Sequence, residues 1–99
     1  MSDAERELAD TEEVFSALAH ASRRHILLVL HYRGGEMSAG DIAKRFECTW
    51  PTVTRHLGVL CSAGLVEKRR DGRQSIYRLD YERLRSVVGS WVGNFEGEG

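Results

Sequence analysis

Proline occurs once in these 99 residues and cysteine twice, and the formal charge is only −1, from 14 Lys and Arg against 15 Asp and Glu. Each scarcity excludes something. Two thiols are too few for a disulfide framework, so a reducing cytoplasm is the expected setting. The longest apolar run, Ile26–Leu30, cannot span a bilayer, and no signal peptide opens the sequence. A chain this short buries roughly 60–70% of its unfolded surface, so its core is thin and a second subunit would help to stabilise it. With 29% charged and 41% hydrophobic residues it is neither disordered nor collagen-like. The near-neutral charge also argues against nucleic acid, whose binders usually have a pI above about 9, provided the charge is evenly spread.

It is not evenly spread. Residues 1–20 hold Asp3, Glu5, Glu7, Asp10, Glu12 and Glu13 against Arg6 alone. Residues 44–78 hold eight bases against Glu47, Glu67 and Asp71. A polyanion-facing half and a solvated or self-associating half are the natural reading of such a division.

Asp10 and Glu13 form a capping box for a first helix through Val14, Phe15 and Leu18. Residues 1–9 then form a flexible acidic extension. Ser22 is placed to cap a second helix, apolar nearly all round and central, that ends at Gly34-Gly35. Ser38 and Asp41 cap a short third helix burying Ile42, Ala43 and Phe46. Thr49 caps a fourth with Pro51 in its first turn, and Val53, Leu57 and Leu60 give it one buried stripe. After Gly64 the period becomes extended. Leu65–Arg70 and Gln74–Leu79 flank Asp71-Gly72-Arg73, a hairpin signal. Asp80 caps a last helix with Leu84, Val88, Trp91 and Phe95 on one face, and 96–99 is a flexible tail. The expected organisation is one domain over 10–95. It is mainly α with a small β-hairpin wing, five helices in all.

A short helix and the turn Glu47-Cys48-Thr49 leading into a two-faced helix make a helix-turn-helix, whose second helix fits the major groove. With Val53 at the centre of the buried face, 100° per residue turns Pro51, Thr52, Arg55 and Gly58 outward, with Thr54 and His56 at the flanks. Arg55 can fork onto guanine O6 and N7, and Thr52 can meet a thymine methyl or a phosphate. Gly58, costly inside a helix, suggests close approach of another backbone or a phosphate. Lys68, Arg69, Arg70 and Arg73 crowd the hairpin with Gln74 beside them, suited to the minor groove or to phosphates.

The stretches ALAHASRRHIL at 17–27, GEMSAGDIAKRF at 35–46, TWPTVTRHLGVLCSAGLV at 49–66 and RRDGRQSIYRL at 69–79 together resemble the prokaryotic arsenic-repressor (ArsR/SmtB) family of winged helix-turn-helix regulators. The resemblance runs from Val14 to about Phe95. It implies homodimers joined through the first and last helices, binding an imperfect palindrome and repressing transcription. It carries DNA-facing roles onto Thr49, Pro51, Thr52, Thr54, Arg55 and His56, and onto the wing around Arg70 and Arg73. Where the family often has a lysine this chain has Gly58.

Dimerisation has separate support, because the stripe Leu84, Val88, Trp91 and Phe95 is too aromatic to leave wet; Val14 and Phe15 of the first helix are the expected partners. The family's thiolate metal site is a Cys-x-Cys on the third helix, and Ser38 and Gly40 stand there. Its other site needs ligands on the last helix, and no histidine or cysteine follows Cys61. No metal and no cofactor are therefore expected, and the chain looks most like the metal-free, autorepressor-like members. Control is left open among a protein partner, a small-molecule inducer and expression level alone. A winged-helix protein-interaction module is one alternative, and a metal- or thiol-responsive repressor with a non-standard site drawn from His20, His25, His31, His56, Cys48 and Cys61 is another. An enzyme is not expected: no nucleophile–base pair, phosphate-cradling loop or metal triad is present. Arg23 and Arg24 open the second helix against its dipole, and pairing with Glu12 or Glu13 would offset that.

Overall fold

A computed structural model describes residues 2–46 and 49–97. Along the chain it has α1 (Asp3–Leu18), α2 (Ala21–Tyr32), β1 (Glu36–Ser38), α3 (Ala39–Arg45), α4 (Trp50–Ser62), β2 (Val66–Asp71), β3 (Gln74–Leu79) and α5 (Tyr81–Gly93). Glu47 and Cys48 of the expected turn, and the last two residues of the tail, lie outside the described residues.

The first helix begins well before the Asp10 cap. Ser2 is its N-cap, with Oγ accepting from the Glu5 N–H at 3.2 Å, and Asp3 and Glu5 put negative charge where the dipole favours it. Asp10 lies inside the helix, and its Oδ1 accepts from Arg83 Nη2 of α5 at 3.3 Å. The cap of α2 also differs from expectation. His20 takes the position, its Nδ1 accepting from the Ser22 N–H at 3.2 Å, so Ser22 is an interior residue.

Arg23 and Arg24 do not pair with Glu12 or Glu13. Arg23 donates to the carbonyls of Ala17 (2.7 Å) and Ser16 (3.2 Å), and Arg24 to that of Leu18 (2.7 Å). The tight α1–α2 corner sets the first turn of α2 beside the last carbonyls of α1. A cation is favoured there, since the last carbonyls of a helix need donors from outside its ladder; that of Ser16 also accepts from the Ala19 N–H at 3.3 Å. Arg83 repeats the arrangement at the end of α4, where its Nε donates to the Ala63 carbonyl at 3.1 Å.

Two helices end in the same way. Gly35 N–H bonds to the Leu30 carbonyl and Gly34 N–H to that of His31, with φ of 104° and 91°. Leu65 and Gly64 repeat the pattern on Leu60 and Cys61 after α4. These are Schellman closures, and positive φ makes glycine the fitting residue at Gly34 and Gly64.

A strand absent from the sequence expectation, β1, joins the wing. The sheet order is β1-β3-β2, antiparallel throughout, with Met37 opposite Tyr77 and Lys68 opposite Tyr77 on the other side. In the hairpin Asp71 pairs with Gln74, so Gly72-Arg73 alone form the loop; Gly72 has φ 64° and Arg73 does not, as in a type II′ turn.

The core gathers Val14 and Ala17 of α1, the α2 residues Ile26, Leu27, Val29 and Leu30, and the α4 stripe Val53, Leu57 and Leu60. Met37, Val66, Tyr77 and Leu79 cover it from the sheet. The second helix is central but not buried all round: Leu28, opposite the core face, is 53% exposed.

Candidate nucleic-acid interface

Helix α4 is set by its ends and its stripe. Thr49 is the N-cap, and its Oγ1 lies 3.0 Å from Thr52 Oγ1; Pro51 sits in the first turn, where a missing N–H costs nothing. Val53, Leu57 and Leu60 are each essentially fully buried, which fixes the rotation of the helix. The opposite face is thereby turned outward, with Pro51, Thr54, Arg55 and Gly58 exposed and Thr52 half-buried.

His56 does not belong to that outer set. It is 8% exposed, packs its ring 4.5 Å from that of His20 and lies 3.4 Å from Arg23 Nη1 through Nδ1. Burial, and then the nearby His20, Arg23 and Arg55 charges, hold its pKa below the usual histidine value. Position 56 lies toward the same edge as the stripe, and the α1–α2 corner closes over it. At Gly58 a Cβ would meet no atom of the described residues within 4 Å, so the backbone approach expected there does not come from within them.

The wing is basic but its bases differ in availability. Arg69 forks onto Glu36 across β3, Nη1 to Oε1 at 3.2 Å and Nη2 to Oε2 at 2.9 Å. That hydrogen-bonded guanidinium holds the Glu36 carboxyl below its ordinary range. Lys68 lies over the Tyr77 ring, 5.8 Å from its centroid. Arg70, Arg73 and Gln74 are exposed at the tip and carry no side-chain hydrogen bond among the described residues. Trp50, in none of the expected sets, stands exposed at the first position of α4. Its place beside Pro51 at a helix start was the available signal.

At the other end of the molecule α5 packs along α1. Trp91 meets Phe15 edge-on at 5.2 Å and Phe95 at 5.0 Å, yet remains 46% exposed, and Phe95 is 72% exposed. Leu84 and Val88 are half-buried within the chain, and Val14 is wholly buried, so Val14 is a core residue rather than a surface one. Leu8 and Val92 extend the exposed apolar surface. Among the described residues no three His, Cys, Asp or Glu converge as a metal site. Burial pushes the Cys61 thiol up, away from the thiolate form a ligand needs.

A short helix, a stripe-anchored second helix with a polar outer face, and a basic hairpin beside it define a winged helix-turn-helix domain. Residues 18–69, more than half of the chain, match the family described as a helix-turn-helix domain. The chain is 36% identical to the transcriptional repressor SdpR of Bacillus subtilis over 86 residues, covering 87% of this chain and 92% of that protein. An ArsR-like transcriptional regulator from Rhodococcus superposes with a TM-score of 0.75 at 30% identity, covering 88% of this chain and 82% of that one. The homodimeric winged helix-turn-helix DNA-binding domain of a possible ArsR-family regulator from Mycobacterium bovis does so with a TM-score of 0.73 at 32% identity, covering 100% and 92%. This chain belongs to the ArsR family of winged helix-turn-helix transcriptional regulators, a family of regulators and not of enzymes.

Proposed function

We propose that this chain is a homodimeric, sequence-specific repressor of transcription that binds a palindromic operator in double-stranded DNA. One observation carries the reading: burial of Val53, Leu57 and Leu60 turns Thr54 and Arg55 outward on the helix that the exposed Arg70 and Arg73 flank. In this reading α4 enters the major groove, where Arg55 reads guanine and Thr52 and Thr54 read a methyl or hold phosphates. Thr49 and Pro51 set the entry of the helix. Arg70, Arg73, Lys68 and Gln74 lie on phosphates or in the minor groove, while Arg69 serves first to tie β2 to Glu36.

The α1–α5 face joins two chains, with Phe15, Trp91 and Phe95 at its centre and Leu8 and Val92 around them. Two-fold symmetry then places the two reading helices roughly 34 Å apart, on successive major grooves. Residues 10–95 act as the DNA-binding and dimerisation unit, with α1 continuing to Asp3. Its place of action is the cytoplasm, in keeping with the absence, among the described residues, of any helix long and apolar enough to cross a membrane. Selection of bound sequences from random DNA tests the reading. A palindrome with half-sites one helical turn apart supports it, and enrichment of no sequence contradicts it.

A further inference from the structure

Leu28 is an odd residue to leave wet: a leucine in the middle of α2, about half exposed, on a helix whose other aliphatics fill the core. It forms one lip of a groove between α2 and α5. Leu27 and Leu79 make the floor, and Leu18, Leu84 and Tyr81 the walls. The space is about 450 Å³, within the range of small-molecule sites. His31 and Tyr81 close one end, His31 Nδ1 lying 2.9 Å from the Tyr81 hydroxyl. The other end is Arg24, which gives one Nη1 to the Leu18 carbonyl and keeps further N–H donors at the rim. Arg85 lies beside Tyr81, 5.9 Å from its ring centroid. None of the lining residues is acidic.

An apolar trough with a basic rim and no carboxylate is complementary to a molecule that is apolar along its body and anionic at one end. We propose that this groove binds a small amphipathic carboxylate, its hydrocarbon body on Leu27, Leu28 and Leu79 and its carboxylate on Arg24. The body removes exposed leucine surface from water, and a guanidinium is suited to a two-pronged carboxylate bond. The groove touches both α2, which packs on α4, and α5, which carries the exposed aromatic surface. A ligand that wedges α2 from α5 changes the spacing of the two reading helices in a dimer, so it releases the operator. This last step rests on the repressor reading; the binding step does not.

The test is a methyl-NMR titration of the full chain with octanoate, decanoate and dodecanoate below their micellar concentrations, with decanol and decylamine as controls. Saturable shifts at Leu27, Leu28, Leu79 and Leu84 are expected, with affinity rising about two- to fourfold per added methylene. Decanol and decylamine should bind about tenfold more weakly than decanoate. Arg24→Gln should bring decanoate down to the affinity of decanol, which itself stays unchanged, and Leu28→Glu, at an exposed position that folding tolerates, should abolish binding. No saturable shift up to millimolar carboxylate, equal binding of decylamine, shifts confined to the α1–α5 face, or the same shifts on simple self-dilution would each overturn the site.

Operator affinity measured with decanoate present should fall about tenfold, within the usual span of allosteric coupling. Unchanged affinity with the groove saturated overturns the regulatory step. If the ligand-free chain retains no DNA at all, the repressor reading fails, and the titration still decides the site.

Discussion

Arg55→Ala separates reading from folding. In the structure Arg55 is exposed on the outer face of α4 and enters no side-chain hydrogen bond or salt bridge among the described residues. Its removal therefore costs the fold little: a surface substitution of this kind stays within about 0.5 kcal/mol, and alanine is the better helix former. A fork onto guanine discriminates by about 1–3 kcal/mol. A dimer presents two such arginines in separate half-sites, whose contributions add, so the loss is about 2–6 kcal/mol per operator. That is a thirtyfold loss at the least, by the usual conversion of about 1.4 kcal/mol per tenfold. Fluorescence anisotropy at fixed salt, on the selected operator and on each single-base variant, measures it, with thermal melting as the control. The variant should melt like the parent, bind the operator weakly and lose its preference at one base pair per half-site. Parent-like binding to every duplex would refute the assignment of α4, and a lowered melting point would show that Arg55 belongs to the fold.

Three other outcomes are expected. Gly58→Ala should stabilise the free protein by about 0.5–1 kcal/mol, read as a melting point roughly 2–8 °C higher, because the methyl meets open space; a lower melting point would mean a contact there. Arg73→Ala should lower the slope of log affinity against log salt by about one per chain, whereas Arg69→Ala should change it less and weaken the wing's tie to Glu36; equal slopes for both would contradict the division of the wing. His56 has a folded pKa below its unfolded value, so the unfolded chain takes up the proton first and stability falls as pH drops through about 6.5. Chemical denaturation from pH 8 to 5 should show this fall, and His56→Gln should flatten it; a flat parent profile would place His56 in water.

Much of the frame was legible because it rests on local rules. Ser38, Thr49 and Asp80 stand where the caps of α3, α4 and α5 are found, and the 53/57/60 spacing locates the buried face of α4 without reference to any other element. What escaped depends on neighbours far along the chain. The three residues of β1 are a strand only because Met37 meets Tyr77, forty residues on. Asp10 and Glu13 carry a cap pattern inside a helix that Ser2 had already opened. At the site, rotation alone distinguished Arg55 from Leu57 but left His56 at a flank. Only the α1–α2 corner, with His20 and Arg23, decides that it is covered. The charge division was visible as a count, yet which wing bases are available depends on Glu36 reaching Arg69 across β3.

The central claim is that two copies of this chain, joined through α1 and α5, hold one palindrome. Sedimentation of the protein with a duplex carrying the selected sequence tests it most directly. Two chains per duplex are predicted, with binding to an isolated half-site far weaker than to the palindrome, and with loss of the two-chain complex in Trp91→Glu while the monomer stays folded. One chain per palindrome in the parent, or an undiminished two-chain complex in Trp91→Glu, would contradict it.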